Sequence, residues 1–382
     1  MKRFLLLSDP PASPGYLPRV RYLCDYLVRQ GHDMTWLTEQ YQPLDFVHAC
    51  PIETIRMYSG GAFDWFVKTV WTLLTDWHNR AFARKALSSM NGRYDAVIVS
   101  AFSDFPLGAA QRIARHLQVP LICDIRDLDE QVDDSRYQYR HQSRWLMPFR
   151  RLYRAIHIRR RDRVLRAADA ITTVSPWHAD FIKNLTAKRS NSDSGLTSNS
   201  AAVYIVYNGY DEKQFYPEDI QTKSFTVTYI GSLFEWQKPA LDKVRRLCAE
   251  LGIKLDLHTP DNKPIAHDAL GDAIRRSGIM LVLTNTATHG MLTTKFYEAL
   301  GCAKPVLCVP SDQGDLAELI AYTNAGLASD DEEQIKAFLL DKQNEWKTKG
   351  FTRQAVLNRE EFSRETQCET IKNILNNIHY EP

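Results

Sequence analysis

The sequence lacks the features that carry a chain into or across a membrane. Its start, MKRFLLLSDPPASP, is basic but holds only four consecutive apolar residues, Phe4 to Leu7. A secretory signal has roughly 7–15 and a spanning helix about 20. Beginning at Met1, the chain reads as complete, cytosolic, and neither exported nor membrane-spanning. Its seven cysteines (24, 50, 123, 248, 302, 308 and 368) form no CxxC pair and no Cys/His zinc spacing. They read as reduced thiols, as in a cytosolic protein. A net charge of +2 over 382 residues argues against a dedicated nucleic-acid binder. No GxGxxG follows the apolar runs at 4–7 or 226–230, which disfavours a dinucleotide oxidoreductase.

What is present is length for two domains and an alternating pattern. Short apolar runs at 4–7, 34–37, 96–99, 121–125, 170–174 and 203–206 are separated by segments of helical period, such as Val20, Leu23, Cys24 and Leu27. The pattern restarts after Asn208-Gly209, with runs at 226–230, 254–257, 279–283 and 305–309. This β-α-β-α order predicts parallel sheets covered by helices. The fold class is therefore α/β, with two Rossmann-like domains expected at 1–208 and 209–382. A last helix near 360–377 is free to pack on either. Residues 186–201, rich in Ser, Asn and Thr, read as a surface loop.

Chemistry concentrates in the second half. A helix beginning near Thr293 puts Lys295 and Glu298 one turn apart on one face. Its first turn offers free backbone N–H groups and partial positive charge to a diphosphate. A carboxylate one turn further in can accept hydrogen bonds from ribose hydroxyls. An ordinary helix with an i,i+3 ion pair is the plainer alternative. Gly231-Ser232 follows a strand, with Lys238 six residues on, where a glycine admits a phosphate and a lysine steadies it.

These residues resemble the donor-binding signature of the retaining, B-fold (group 1 type) glycosyltransferases, in their bacterial surface-polysaccharide branch. Lys295, Tyr297, Glu298, Gly301, Lys304 and Pro305 match it, as do Gly231, Ser232 and Lys238. The joint Asn208-Gly209-Tyr210-Asp211, with Phe215 and Pro217, and the opening loop to Gly15 match more weakly. The resemblance implies two domains facing a cleft and transfer of a sugar, with retention, from a UDP- or GDP-sugar to a lipid-linked or saccharide acceptor. It needs no cofactor. Glu298 would hold the ribose, and Lys238, Lys295 and helix amides the leaving diphosphate. Gly15 would sit beside the phosphates, and Met291, Leu292, Thr293 and Thr294 would complete the donor site. One departure stands out: the family's second glutamate is replaced by Gly290, so sugar contacts would fall to amides near 291–293 or to another group.

On the first domain, Asp124-Ile125-Arg126-Asp127 follows a buried strand, where ligands gather in α/β sheets. Arg126 and Asp127 are candidates for contacting the sugar or serving as base. Asp127-Leu128-Asp129 also spells a DxD, a manganese pair in unrelated transferases, but the second-domain motifs favour metal-independent transfer. Between Arg136 and Arg166 lie eleven arginines and one acid, Asp162, interleaved with aromatic residues. This basic amphipathic stretch is expected to meet a lipid-linked diphosphate acceptor or an anionic membrane, a helix packed on the first domain being the plainer alternative, while no nucleic-acid motif accompanies it. Two further readings of the architecture are a nucleotide-sugar epimerase and a catalytically silent nucleotide-binding partner in a polysaccharide assembly complex.

Overall fold

The computed structural model describes residues 1–8, 18–40, 49–57, 61, 63, 66, 70–90, 92–101, 103–132, 147–187 and 201–378. Two parallel sheets organise them. The first contains β1 (Arg3–Ser8), β2 (Asp33–Glu39), β3 (Ile52–Ile55), β4 (Ala96–Ala101), β5 (Leu121–Ile125), β6 (Ala170–Thr173) and β7 (Ala202–Ile205), in the order β3-β2-β1-β4-β5-β6-β7. The second contains β8 (Thr226–Ile230), β9 (Lys254–His258), β10 (Ile279–Leu283), β11 (Val306–Val309) and β12 (Gly326–Ala328), in the order β12-β11-β10-β8-β9.

The central strands are apolar along their length because both faces are covered. In β1, Leu5 and Leu7 enter one core with Val97 and Val99, while Phe4 and Leu6 enter another with Ala96 and Ile98. The second sheet repeats this: Val227, Tyr229 and Leu281 pack on one face, Met280, Val282 and Cys308 on the other. All seven cysteines are buried free thiols.

The chain divides into two compact units. The first draws its described residues from Met1–Asp129, His141–Val206 and Cys368–Pro382; the second from Glu130–Arg140 and Tyr207–Gln367. The expected division at 208/209 thus moves to Val206/Tyr207, and most of the last helix, Arg364–Asn377, leaves the second domain for the first. The reason is a stripe of Cys368, Ile371, Ile374 and Leu375, at helical spacing, buried against Phe4, Leu6, Tyr26 and Trp36. Lys2 Nζ also donates to the Leu375 carbonyl at 3.1 Å. The loop expected over 186–201 falls largely outside the described residues.

Candidate donor-nucleotide site

The second sheet changes direction between β8 and β10, which pair in parallel with Ile279 opposite Val227. Ligands of such sheets gather outside the carboxyl ends of strands at this switch point. Here it brings together two motifs more than sixty residues apart. Gly231 follows β8 at φ +126°, and a Cβ there would lie 2.6 Å from Lys295 Cε and 3.0 Å from Nζ. Only glycine leaves room for this conformation and the lysine at once. The Gly231 N–H donates to the His258 carbonyl at 2.8 Å, fixing the turn.

Lys295 lies over the Tyr229 ring, with Nζ 5.1 Å from the centroid. Burial lowers its ammonium below the usual lysine range, against the opposing pull of Glu298. Burial likewise raises the Glu298 carboxyl, against Arg364 and Lys295. Neither Lys295 Nζ nor the Glu298 carboxylate has a hydrogen-bond or ion-pair partner among the described residues, so the simple i,i+3 ion pair does not form. Thr293 caps the helix Thr294–Gly301, its side chain accepting from the Lys295 N–H at 3.4 Å.

Gly290 has φ +63°, a left-handed conformation in which a glutamate would be strained. The Leu292 N–H donates to the Gly290 carbonyl at 3.1 Å, and its side chain is buried in the core. Leu292 is therefore a packing residue, and its amide is not open to a sugar. The amides of Met291, Thr293 and Thr294 have no acceptor among the described residues. The preceding turn is held from outside, by His289 N–H to the Gln131 carbonyl at 3.0 Å and by a bridge between Thr288 and Val132.

Gly301, Gly209 and Lys304, also matched, are packed into the fold. A Cβ on Gly301 would strike the Tyr210 ring at 2.6 Å, and one on Gly209 the Phe362 carbonyl at 2.8 Å. Lys304 is 2% exposed, with Nζ donating to the Thr352 carbonyl at 2.9 Å. Burial brings its pKa down to about 8. Lys238 is more than half exposed and pairs with Glu235 at 2.5 Å, a contact it must release or share to face a phosphate. Ser232 is exposed, and its carbonyl accepts from Tyr229 Oη at 2.5 Å.

Sequence reasoning missed two supports. Buried Gln237 donates to the Leu283 carbonyl at 3.0 Å and accepts from the Phe234 N–H at 2.9 Å, tying the 231–238 loop to β10. Arg364 is buried, its N–H donating to the Tyr210 carbonyl at 2.8 Å, and it brings positive charge to Glu298. Glutamine three residues past Phe234 was a findable capping signal; nothing local marks Arg364.

In the first unit, Asp124 is a buried hub. It accepts from Arg19 Nη2 (2.7 Å), Ser100 Oγ (2.9 Å) and Thr172 Oγ1 (2.7 Å), joining β4, β5, β6 and the helix Pro18–Arg29. Burial raises its pKa, but Arg19, Arg126 and the two hydroxyls outweigh this and hold it below the usual carboxylate range. Arg126 is half-buried, and its Nε has no acceptor among the described residues; Asp127 is exposed. Two carboxylate–histidine pairs that sequence reasoning missed lie near the strand ends. Glu39 meets His78 at 2.9 Å, and Asp104 pairs with His157. Gly15 lies outside the described residues, as does the 136–146 part of the basic stretch.

Eight arginines of that stretch are described, and four are internally engaged. Arg154 donates to the Asp129 carbonyl, Arg160 to Thr72 and Leu73, and Arg166 to Leu185, while Arg161 pairs with Asp162. Half the described charge thus braces the fold. Among the described residues, no helix is long and apolar enough to cross a membrane.

Residues 15–191 match the model of the glycosyl transferase 4-like domain. Among solved structures, HepE from Anabaena in complex with UDP-glucose aligns over 99% of this chain and 100% of its own, at 13% identity and TM-score 0.59. An E. coli trehalose-6-phosphate protein bound with UDP-2-fluoro glucose aligns over 99% and 100%, at 11% identity and TM-score 0.62. An alpha-glucosyltransferase in complex with UDP does so over the same shares, at 12% identity and TM-score 0.55. No curated protein sequence matches. The fold is that of the two-domain, B-type glycosyltransferases. Residues 15–191 are thus similar to a glycosyl transferase 4-like domain, and the chain as a whole shares the fold of glycosyltransferases.

Proposed function

We propose that the chain transfers a sugar from a nucleoside-diphosphate donor, with retention and without metal, to a lipid-linked or saccharide acceptor in polysaccharide or lipopolysaccharide assembly. The observation that carries this reading is the convergence of Gly231, Lys295 and Glu298 at the β8/β10 switch point. Lys295 and Glu298 are half-buried and have no hydrogen-bond or ion-pair partner among the described residues, an arrangement that a ligand supplying such partners would stabilise. A diphosphate restores the lysine's charge and stabilises the leaving group, aided by the Thr293 and Thr294 amides. Ribose hydroxyls donate to Glu298. No carboxylate is placed as a nucleophile, which favours attack on the face the diphosphate leaves.

UDP bound to the aligned structures favours UDP over GDP. Arg126 and Asp127 orient the acceptor side, and the segment from Arg136 to Arg166 meets an anionic membrane surface. The test is calorimetric titration with UDP and GDP, in EDTA and with manganese, on wild type and Glu298→Ala. One nucleotide should bind without metal, and the variant should lose about 1–3 kcal/mol. Binding that requires manganese would move the site to Asp127 and Asp129.

A further inference from the structure

The turn that follows β8 is pinned from inside and turns aromatic side chains outward. Tyr229 Oη donates to the Ser232 carbonyl at 2.5 Å, and the Gln237 N–H donates to the Phe234 carbonyl at 2.9 Å. The Gln237 side chain accepts from the Phe234 N–H at 2.9 Å and donates to the Leu283 carbonyl, the last of β10, at 3.0 Å. Leu233 packs into the core beneath. Phe234, by contrast, is 48% exposed. Its ring lies nearly parallel to that of half-buried Trp236, with 6.0 Å between centroids and 4° between planes. A single exposed ring is ordinary. Two parallel rings on a turn held by a buried glutamine make a preorganised platform, which loses little freedom when a ligand settles on it.

The sheet sets the place of this platform relative to the donor motifs. The helix Thr294–Gly301, which carries Lys295 and Glu298, packs Phe296, Ala299 and Leu300 on one face. The turn runs into the helix Lys238–Glu250, which packs Leu241, Val244 and Leu247 on the other face. Gly231 and Lys295 meet at the strand ends between them. Phe234 is three residues past Gly231, within about 10 Å along the chain. In a nucleotide-sugar, ribose and pyranose stand at opposite ends of the diphosphate. With the ribose at Glu298 and the diphosphate at Gly231 and Lys295, the pyranose extends away from the Glu298 face, toward this turn.

The chemistry of the platform suits that end of the donor. C–H groups on a pyranose face are slightly positive and rest on the negative face of an aromatic ring. Polar contacts to the sugar are few around 290–292, because Gly290 has no side chain and the Leu292 amide is engaged by the Gly290 carbonyl. We infer that Phe234 and Trp236 form a stacking platform for the donor's pyranose ring, supplying affinity for the sugar and none for the nucleotide. This rests on the donor reading above and assigns the sugar end of the same site. The nucleobase lies beyond the ribose, away from the platform.

The test is calorimetric titration of the full chain with UDP and UDP-glucose, and with GDP and GDP-mannose. Wild type, Phe234→Ala and Phe234→Tyr are compared. Phe234→Ala should raise the ratio of nucleotide-sugar Kd to nucleotide Kd about tenfold and leave the nucleotide Kd unchanged. Phe234→Tyr keeps the ring and should match wild type. An unchanged nucleotide Kd also reports an intact fold. An unchanged ratio in Phe234→Ala would overturn the platform. So would equal weakening of nucleotide and nucleotide-sugar, which puts the ring on the base or in the fold. Wild type that binds a nucleotide but neither nucleotide-sugar overturns the platform and leaves the nucleotide site standing. Wild type that binds no nucleotide overturns both.

Discussion

Gly231→Ala offers a sharp test of how the two donor motifs meet. The substitution acts twice. Its φ of +126° is costly for any residue with a Cβ, at about 1–3 kcal/mol of stability. Its methyl would stand 2.6 Å from Lys295 Cε, and because that is the far end of a flexible chain, the lysine gives way and the backbone does not. On the proposed donor reading, displacing Nζ removes a charge-assisted hydrogen bond to the diphosphate, about 1.5–3 kcal/mol, or roughly 10- to 150-fold in Kd. Lys295→Met should lose the same affinity without the strain. The double variant should then bind UDP no worse than Lys295→Met alone, because neighbouring residues that act through one contact are not additive. Calorimetry supplies the affinities and urea unfolding the stabilities. Additive losses in the double variant, or a Gly231→Ala protein binding UDP as wild type does, would refute the reasoning.

Other outcomes follow from the buried charges. Lys304 has its pKa brought down to about 8 by burial, so between pH 8 and about 10 the unfolded chain binds more protons than the folded one. The Lys304 contribution to stability should therefore rise with pH across that window, by about 3 kcal/mol at most. Urea unfolding of wild type and Lys304→Met should show their stability difference climbing across the window, on a background that the raised thiols of the buried cysteines slope downward. Asp124→Asn should cost about 3–5 kcal/mol by leaving Arg19 buried without its charge partner. Asp127→Asn, at an exposed position, should stay within about 0.5 kcal/mol. Because Asp124's folded pKa is held down, its stabilisation is present above the unfolded carboxylate value and is lost as pH falls through the folded one. Acid titration of wild type against Asp124→Asn checks this. Ile371→Ala should cost about 2–5 kcal/mol and loosen the last helix from β1, read by hydrogen exchange at residues 3–8.

The central strands were legible because burial on both faces demands uninterrupted apolar runs. Edge strands carry no such demand. In β3 (IETI) only Ile55 is fully buried, and β12 is three residues opened by Gly326, so neither stands out from its surroundings. The helix Glu332–Lys349 was passed over for a similar reason: only Ile335 and Leu339 of its eighteen residues are buried.

Local spacing also placed Lys295 and Glu298 on one helical turn, with Gly231 at a strand end, because helix period and strand termination are properties of neighbouring residues. What those groups touch was decided by strand order. Pairing β8 with β10 set Lys295 against Gly231, and Arg364, remote in the chain, brought its charge to Glu298. The same dependence on distant partners turned Lys304 and Leu292 into structural residues and half the described arginines into braces. Sequence by itself determined residue type, periodicity and the two α/β halves. Only the tertiary structure decided which charges are spent inside the fold and which remain for a ligand, because an ion pair or hydrogen bond depends on separation in space, and that is set by the order of strands in a sheet.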